Sequence, residues 1–379
     1  MKPNLKRFTA TITFLALSLA GFTQTMEGDV PPVFNPIIKM HGLIHSRFEA
    51  SLADSVDVQG KFSENPVKSN FRLRRLELRA DVQLTSKWSG VIRIQFPDLK
   101  TSTPGRAIEL AYFQYSWKDQ LNIRGGQMKV PFELDELTSH EDLRLIDRGT
   151  TDRIFVSNYL ASYQPGFMIY GTFLKSKTPL SYYAGIFNGS ERSVPYDDNS
   201  QKNFVGRIEF SPIKSLRIAV NDQLAGVDEN ITGNSIGGDL SFQQRLSEKL
   251  FLILEGEYIQ GPNSLLFTSS VDSSKNINDF KMSGYFGQGL LRINVMKPWL
   301  RSFEIAGKYE HTDPWTSKSA EEDVSGNSYN TITGGIGFVF LPDNDARLQF
   351  NVIHTDYETE FAGSQKNNLM FVTQLQLKL

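Results

Sequence analysis

From Ile37 to the C-terminus, apolar and polar residues alternate with a period of two in one segment after another, and the 3.6-residue period of an amphipathic helix is nearly absent. The last segment, NNLMFVTQLQLKL, shows the pattern best. Leu369, Phe371, Thr373, Leu375, Leu377 and Leu379 share one face, and Met370, Val372, Gln374, Gln376 and Lys378 share the other. KLFLILEGEYI likewise sets Leu250, Leu252, Leu254 and Tyr258 against Phe251, Ile253, Glu255 and Glu257. Successive side chains of a strand point to opposite faces, so each segment predicts a strand with one apolar and one charge-bearing face. Marking them all predicts sixteen strands, near 37–49, 69–84, 88–98, 106–117, 120–130, 164–175, 178–188, 202–212, 215–225, 233–246, 249–260, 279–295, 300–312, 327–341, 345–357 and 366–379.

The connections alternate in length. Long ones fall near 50–68, 99–105, 131–163, 189–201, 226–232, 261–278, 313–326 and 358–365, and tight turns such as 85–87, 118–119, 247–248 and 342–344 separate them. A soluble sandwich has no reason to keep this rhythm, whereas a membrane barrel with long loops at one end and short turns at the other requires it. The strands are long enough to cross an apolar layer with a tilt. Trp88, Trp117, Tyr258, Trp299, Tyr309 and Phe340 lie toward strand ends, where an interfacial aromatic girdle belongs. The predicted fold is therefore all-β: a transmembrane antiparallel β-barrel of 16 strands.

Composition agrees with this reading. A mean hydropathy of −0.30 looks water-soluble, but a barrel hides its apolar positions in alternation. With 40 basic and 42 acidic residues the chain has no basic excess to attract nucleic acid. The absence of cysteine excludes disulfides, thiolate metal sites and cysteine nucleophiles. Ahead of the strands, MKPNLKRFTATITFLALSLAGFTQT places Lys2, Lys6 and Arg7 before a short apolar stretch and then small or polar residues. Residues 1–25 are thus expected to be a signal peptide, removed after Sec-type export, and 26–379 the barrel.

The chain resembles the phosphate-selective porin O and P family of Gram-negative outer membranes. The resemblance is carried in collinear order by LRRLEL (73–78) with KWSG (87–90), GQMKVPFELDELTS (126–139) with LIDRG (145–149), AGIFNGS (184–190), VGRIEFSP (205–212), GEYIQG (256–261), MSGYFGQ (282–288), FEIAGKY (303–309) and DARLQFNVIHTDY (345–357). It implies a sixteen-stranded porin of the cell outer membrane, in contact with lipid and expected as a homotrimer. Its third extracellular loop, here 131–163, would fold inward as a constriction. No cofactor is implied.

A pore needs charged and hydrogen-bonding side chains around water rather than a catalytic set. Turning each polar face inward makes Lys39, Arg47, Arg75, Arg79, Arg93 and Arg124 candidate pore-lining or solute-binding residues, with carboxylates such as Glu77, Glu109, Glu255 and Glu304 on the same wall. Of the adjacent Arg74 and Arg75, which match the family's paired arginines, only Arg75 falls in the inward register. The loop contributes Glu133, Asp135, Glu136, Glu141, Arg144 and Arg148, and Ser139 with Asp142 is expected to cap a short helix running through Leu143 and Ile146. Where anion-selective relatives carry Lys or Arg after the Thr-Ser pair, this chain has His140, Glu141 and Asp142. Passive passage of small hydrophilic solutes is expected, with a modest lean toward anions because wall arginines are fixed while several loop acids point to solvent. The alternative is a general or weakly cation-preferring channel without a binding site. An enzyme is disfavoured because His45 and its neighbour Ser46 face opposite sides of a strand.

Overall fold

The structure, a computed structural model, describes residues 35–379 apart from 101–103, 198–199, 229–230, 271–275, 317–325 and 362–363. The expected signal peptide lies outside the described residues. Strands β1 Ile37–Ser51, β2 Ser69–Gln83, β3 Trp88–Gln95, β4 Ile108–Lys118, β5 Leu121–Lys129, β6 Tyr163–Phe173, β7 Leu180–Phe187 and β8 Asn203–Ile213 make the first half. The second half is β9 Leu216–Asp228, β10 Ile231–Arg245, β11 Leu250–Pro262, β12 Lys281–Lys297, β13 Leu300–Asp313, β14 Tyr329–Val339, β15 Ala346–Tyr357 and β16 Asn368–Lys378. Each pairs antiparallel with its sequence neighbours, and β1 closes on β16 from Leu43↔Lys378 to Ser51↔Met370. Closure leaves no unpaired sheet edge, as a sheet in hydrocarbon must.

The alternation read from the sequence is the alternation of the wall. Phe71, Phe167, Ile208, Val220 and Ile332 stand exposed on the outer face, and His45, Arg47, Arg93, Arg207 and Arg347 are buried on the inner one. So wide an exposed apolar band would be a liability in water and is what a bilayer requires. One connection differs from expectation. The ladder of β9 and β10 continues to Asp228↔Ile231, so the predicted long loop at 226–232 is mostly strand.

A second difference lies in β2. His45 pairs with Arg75 but Ser46 pairs with Leu73, so Arg74 is the extra residue of a β-bulge. A one-residue slip turns every later side chain to the other face. Phe71 and Leu73 face outward on one side of it and Leu78 on the other, while Arg72 joins Arg75 inside. Of the pair Arg74 and Arg75, Arg75 faces inward, and the bulge lets Arg74 and Arg72 reach the interior as well, which a single unbroken alternation does not give.

Ile208 sits at the middle of β8 on the outer face and Ile213 at its end. Ile208→Arg should destabilise the protein refolded in lipid vesicles by about 2–4 kcal/mol and Ile213→Arg by about 0–1 kcal/mol, as depth in the bilayer dictates. Guanidinium unfolding of the two variants checks this, and equal costs would contradict the assigned faces.

Candidate functional site

The connection between β5 and β6 carries two helices, α1 Leu134–Leu137 and α2 Thr150–Ser157. Ser139 precedes only a three-residue 3-10 turn, His140–Asp142, and its side chain makes no cap hydrogen bond, so the helix expected to run on to Ile146 is absent. The Asp142 amide bonds the Ser139 carbonyl instead, and Leu143 then turns extended.

Apolar contacts hold one side of this loop. Phe132, Phe155 and Leu160 form a fully buried cluster with Met128, Met168, Phe187, Ile259 and Met282 of β5, β6, β7, β11 and β12. Phe132 and Phe155 stack with centroids 6.4 Å apart. Polar contacts hold the rest. Lys308 of β13 reaches Asp135 at 2.9 Å, and Arg144 forks onto Glu255 of β11 at 2.8 and 3.1 Å. Arg347 of β15 donates to the carbonyls of Leu143 and Arg144. Two strands on from β15, Arg47 of β1 donates to the Asp147 carboxylate at 2.9 Å and the Ile146 carbonyl at 3.0 Å, and His140 bonds Glu77 of β2 at 2.6 Å.

The start of α2 depends on a missing side chain. The Gly149 amide bonds Asp135 Oδ2 at 2.6 Å and the Thr150 amide bonds Glu310 at 3.0 Å, so carboxylates from outside the helix satisfy its first amides. A Cβ on Gly149 would collide with the Glu310 carboxylate and the Lys308 ammonium. A side chain here would require the buried Lys308 and Glu310 side-chain ends to move.

Of the wall residues expected to line a pore, Arg47, Arg75 and Arg93 are buried and meet carboxylates: Arg93 with Glu109 at 2.9 Å and Arg75 with Glu77 at 3.6 Å. Arg79 pairs with Asp81 at 2.8 Å. Lys39, opposite Asp81 in register, is exposed at the short-turn end. Arg124 is apart from these, bonded to Gln114 at 2.8 Å and lying over the rings of Tyr112 and Tyr170. Glu133, Asp135 and Glu136 are buried, against the expectation that several of the loop acids point to solvent. Lys308 draws in Asp135, and Arg148 draws in Glu136 at 3.3 Å. Glu141 is half-buried and Arg148 spans the carbonyls of Asp135 and Thr138. Glu77, Glu109 and His140 bring ligand atoms within 4.8 Å of one another. Arg75, Arg93 and Arg192 already pair with their carboxylates, so the cluster is built as an ion-pair network rather than for a cation.

Between this loop and the wall formed by β14, β15, β16, β1 and β2 lies a cavity of about 920 Å³ at the long-loop end. Arg47, Arg72, Arg74, Arg75, Arg148, Arg153 and Arg192 line it, against Glu49, Glu136, Asp147 and Asp152. Arg47 and Arg72 reach Glu49, Arg47 holds Asp147, and Arg148 holds Glu136. Burial would raise the Asp147 carboxyl, but Arg47, Arg74 and Arg153 overcome it and hold it well below the usual range. Asp152 goes the other way, raised by burial and by the Glu136 carboxylate beside it. Arg74 and Arg153 meet no carboxylate within ion-pair distance among the described residues. Alternation missed Arg72 and Arg74, although the doubled arginine between Leu73 and Leu76, where the apolar phase changes from odd to even positions, is the signature of the bulge. Arg153 lies on α2 and Arg192 on an irregular connection, where the strand period marks no inward residue.

The family model described as phosphate-selective porin O and P matches residues 48–248, more than half of the chain. The chain belongs to that family. It is an outer-membrane porin, a channel for solutes. The fold of this porin is similar to that of the outer membrane channel DcaP of Acinetobacter baumannii, with TM-score 0.58 and 15% identity over 91% of this chain and 97% of that one. It is also similar to an anion-selective porin from Comamonas acidovorans, with TM-score 0.57 and 10% identity over 91% and 100% of the two chains. A trimer form of OmpT from Vibrio cholerae matches at TM-score 0.53 and 8% identity, over 91% and 99%.

Glu133 supplies a test of the loop's electrostatics. Its carboxyl is raised well above the usual range by burial and by the carboxylates of Asp152 and Glu257, and its Oε2 has no partner. A carboxyl raised on folding binds its proton more tightly in the folded state, so stability falls as pH rises above the unfolded value of about 4.3. Between pH 5 and 8 Asp147 adds no slope, because a depressed carboxyl loses its contribution only below that window. Glu133→Gln should therefore raise the urea midpoint at pH 7 and flatten its decline from pH 5 to 8. A steeper decline would contradict the assignment.

Proposed function

We propose that this porin is a passive, anion-preferring diffusion channel in which 131–163 forms the constriction, and that it does no catalysis. The single observation that carries the preference is the imbalance of the cavity. Glu49, Glu136 and Asp147 are each engaged by arginine, while Arg74 and Arg153, which act on Asp147 from farther off, have no carboxylate within ion-pair distance among the described residues. An anion that sheds water on entering a narrow passage needs replacement donors, and fixed charge in such a passage is screened less than charge on an open surface. Wall arginines such as Arg75 and Arg93 act chiefly as braces, since their charge is spent on Glu77 and Glu109.

Export with removal of 1–25 and assembly as a homotrimer complete the proposal. The trimer form of a fold relative supports the second, and the basic-then-apolar start of the chain supports the first.

Purified protein in a planar bilayer under a potassium chloride gradient should give a reversal potential of anion-selective sign. Arg74→Gln with Arg153→Gln should lower the chloride-over-potassium permeability ratio by about twofold or more at low salt, where fixed charge is least screened. An unchanged ratio would return the channel to general diffusion.

A further inference from the structure

The cavity has two unlike walls. One carries the arginines; the other holds an apolar patch beside the polar pair Thr355 and Asn368, where a water-filled lumen is expected to be polar throughout. Inward positions of β15 and β16 nearer the turns are Gln349, Asn351, Gln374 and Gln376, and Thr333 of β14 lies level with Ile353. Toward the loops the same register carries Ile353 and Met370, which face each other across the ladder, and Val372 beside them. Above these, Tyr329 and Tyr357 pair in register with ring centroids 5.3 Å apart. Arg74 comes from the bulge in β2, and Arg153 from the face of α2 turned away from the Phe155 cluster.

A hydrated inorganic anion has nothing to gain from Ile353, Met370 and Val372, and about 920 Å³ is far more room than it needs. A molecule with a carboxylate at one end and an apolar, preferably aromatic, body at the other uses both walls. Its head accepts from the free guanidinium groups while its body covers the apolar patch and the tyrosine pair. We infer that the cavity is a binding site for amphipathic organic carboxylates on their way through the channel. The inference rests on the anion-channel reading and deepens it by naming the solute class.

The test compares acetate with benzoate, which share the head and differ in the body, as blockers of chloride current through the full mature protein in a planar bilayer at pH 7.5. Benzoate should half-block at a concentration about tenfold lower than acetate, the gain coming from apolar burial. Ile353→Thr, at a half-buried position, should shrink that gap to about twofold and leave acetate unchanged. Arg74→Gln should weaken both blockers together. Equal block by acetate and benzoate in the native channel overturns the inference, whatever the variants do. If the reversal potential is still anion-selective, the inference falls alone; if it is cation-selective and neither compound blocks, the channel reading falls with it.

Discussion

A charge turned into the interior of a closed barrel must find water or an opposite charge, because an unpaired buried ion costs several kcal/mol. In this porin that demand is met between the wall and the loop rather than along the wall alone. Lys308 finds Asp135, Arg144 finds Glu255, Arg47 finds Asp147, and Arg347 takes loop carbonyls in addition to Glu304. Lys308 and Arg347 also hold the wall carboxylates Glu310 and Glu304, so the loop completes ion pairs that the wall begins, and the pairs act as latches. The rest of the interior follows from where they place the loop.

Latched in this way, the loop divides the interior unevenly. Toward β5–β8, β11 and β12 it is sealed by Phe132, Phe155, Leu160 and the inward methionines, a packed apolar core inside a barrel whose outer face is also apolar. Beyond its contacts with Arg347, Arg47 and Glu77, it stands off from the loop ends of β14–β16, β1 and β2 and leaves the arginine-rich cavity. Asp135, Glu136 and Asp147 of the loop are therefore engaged in its own fastening, and the arginines left over sit on the open side. A loop that looks acidic by composition can in this way line an anion path. The same geometry bears on Gly149, where a side chain would require the Lys308 and Glu310 side-chain ends to move.

Strand number, order and faces were legible because alternation is a local property, and within a few residues each predicted strand coincides with one in the barrel. The slip at Arg74 was legible in principle, from Leu73 and Leu76 falling on opposite parities, but a reading that extends one parity along a strand passes over it. The fate of the loop acids was not legible. Asp135 meets Lys308 across 173 residues and Arg144 meets Glu255 across 111, and no local pattern carries such a pairing. Arg153 joins the site only because α2 begins at Gly149 and turns that face away from the core. Composition alone therefore overstated the negative charge available to a solute.

The central claim is that the loop is latched inside the barrel against β13, and the chain's lack of cysteine allows a direct measurement. The hydroxyls of Thr151 and Thr312 lie 3.1 Å apart, so thiols placed at the two positions would meet. Thr151→Cys with Thr312→Cys, refolded under mild oxidation, should cross-link nearly completely and give the single-channel conductance of the native protein, unchanged on reduction. Failure to cross-link, or a conductance that changes when the bond is reduced, would contradict the account.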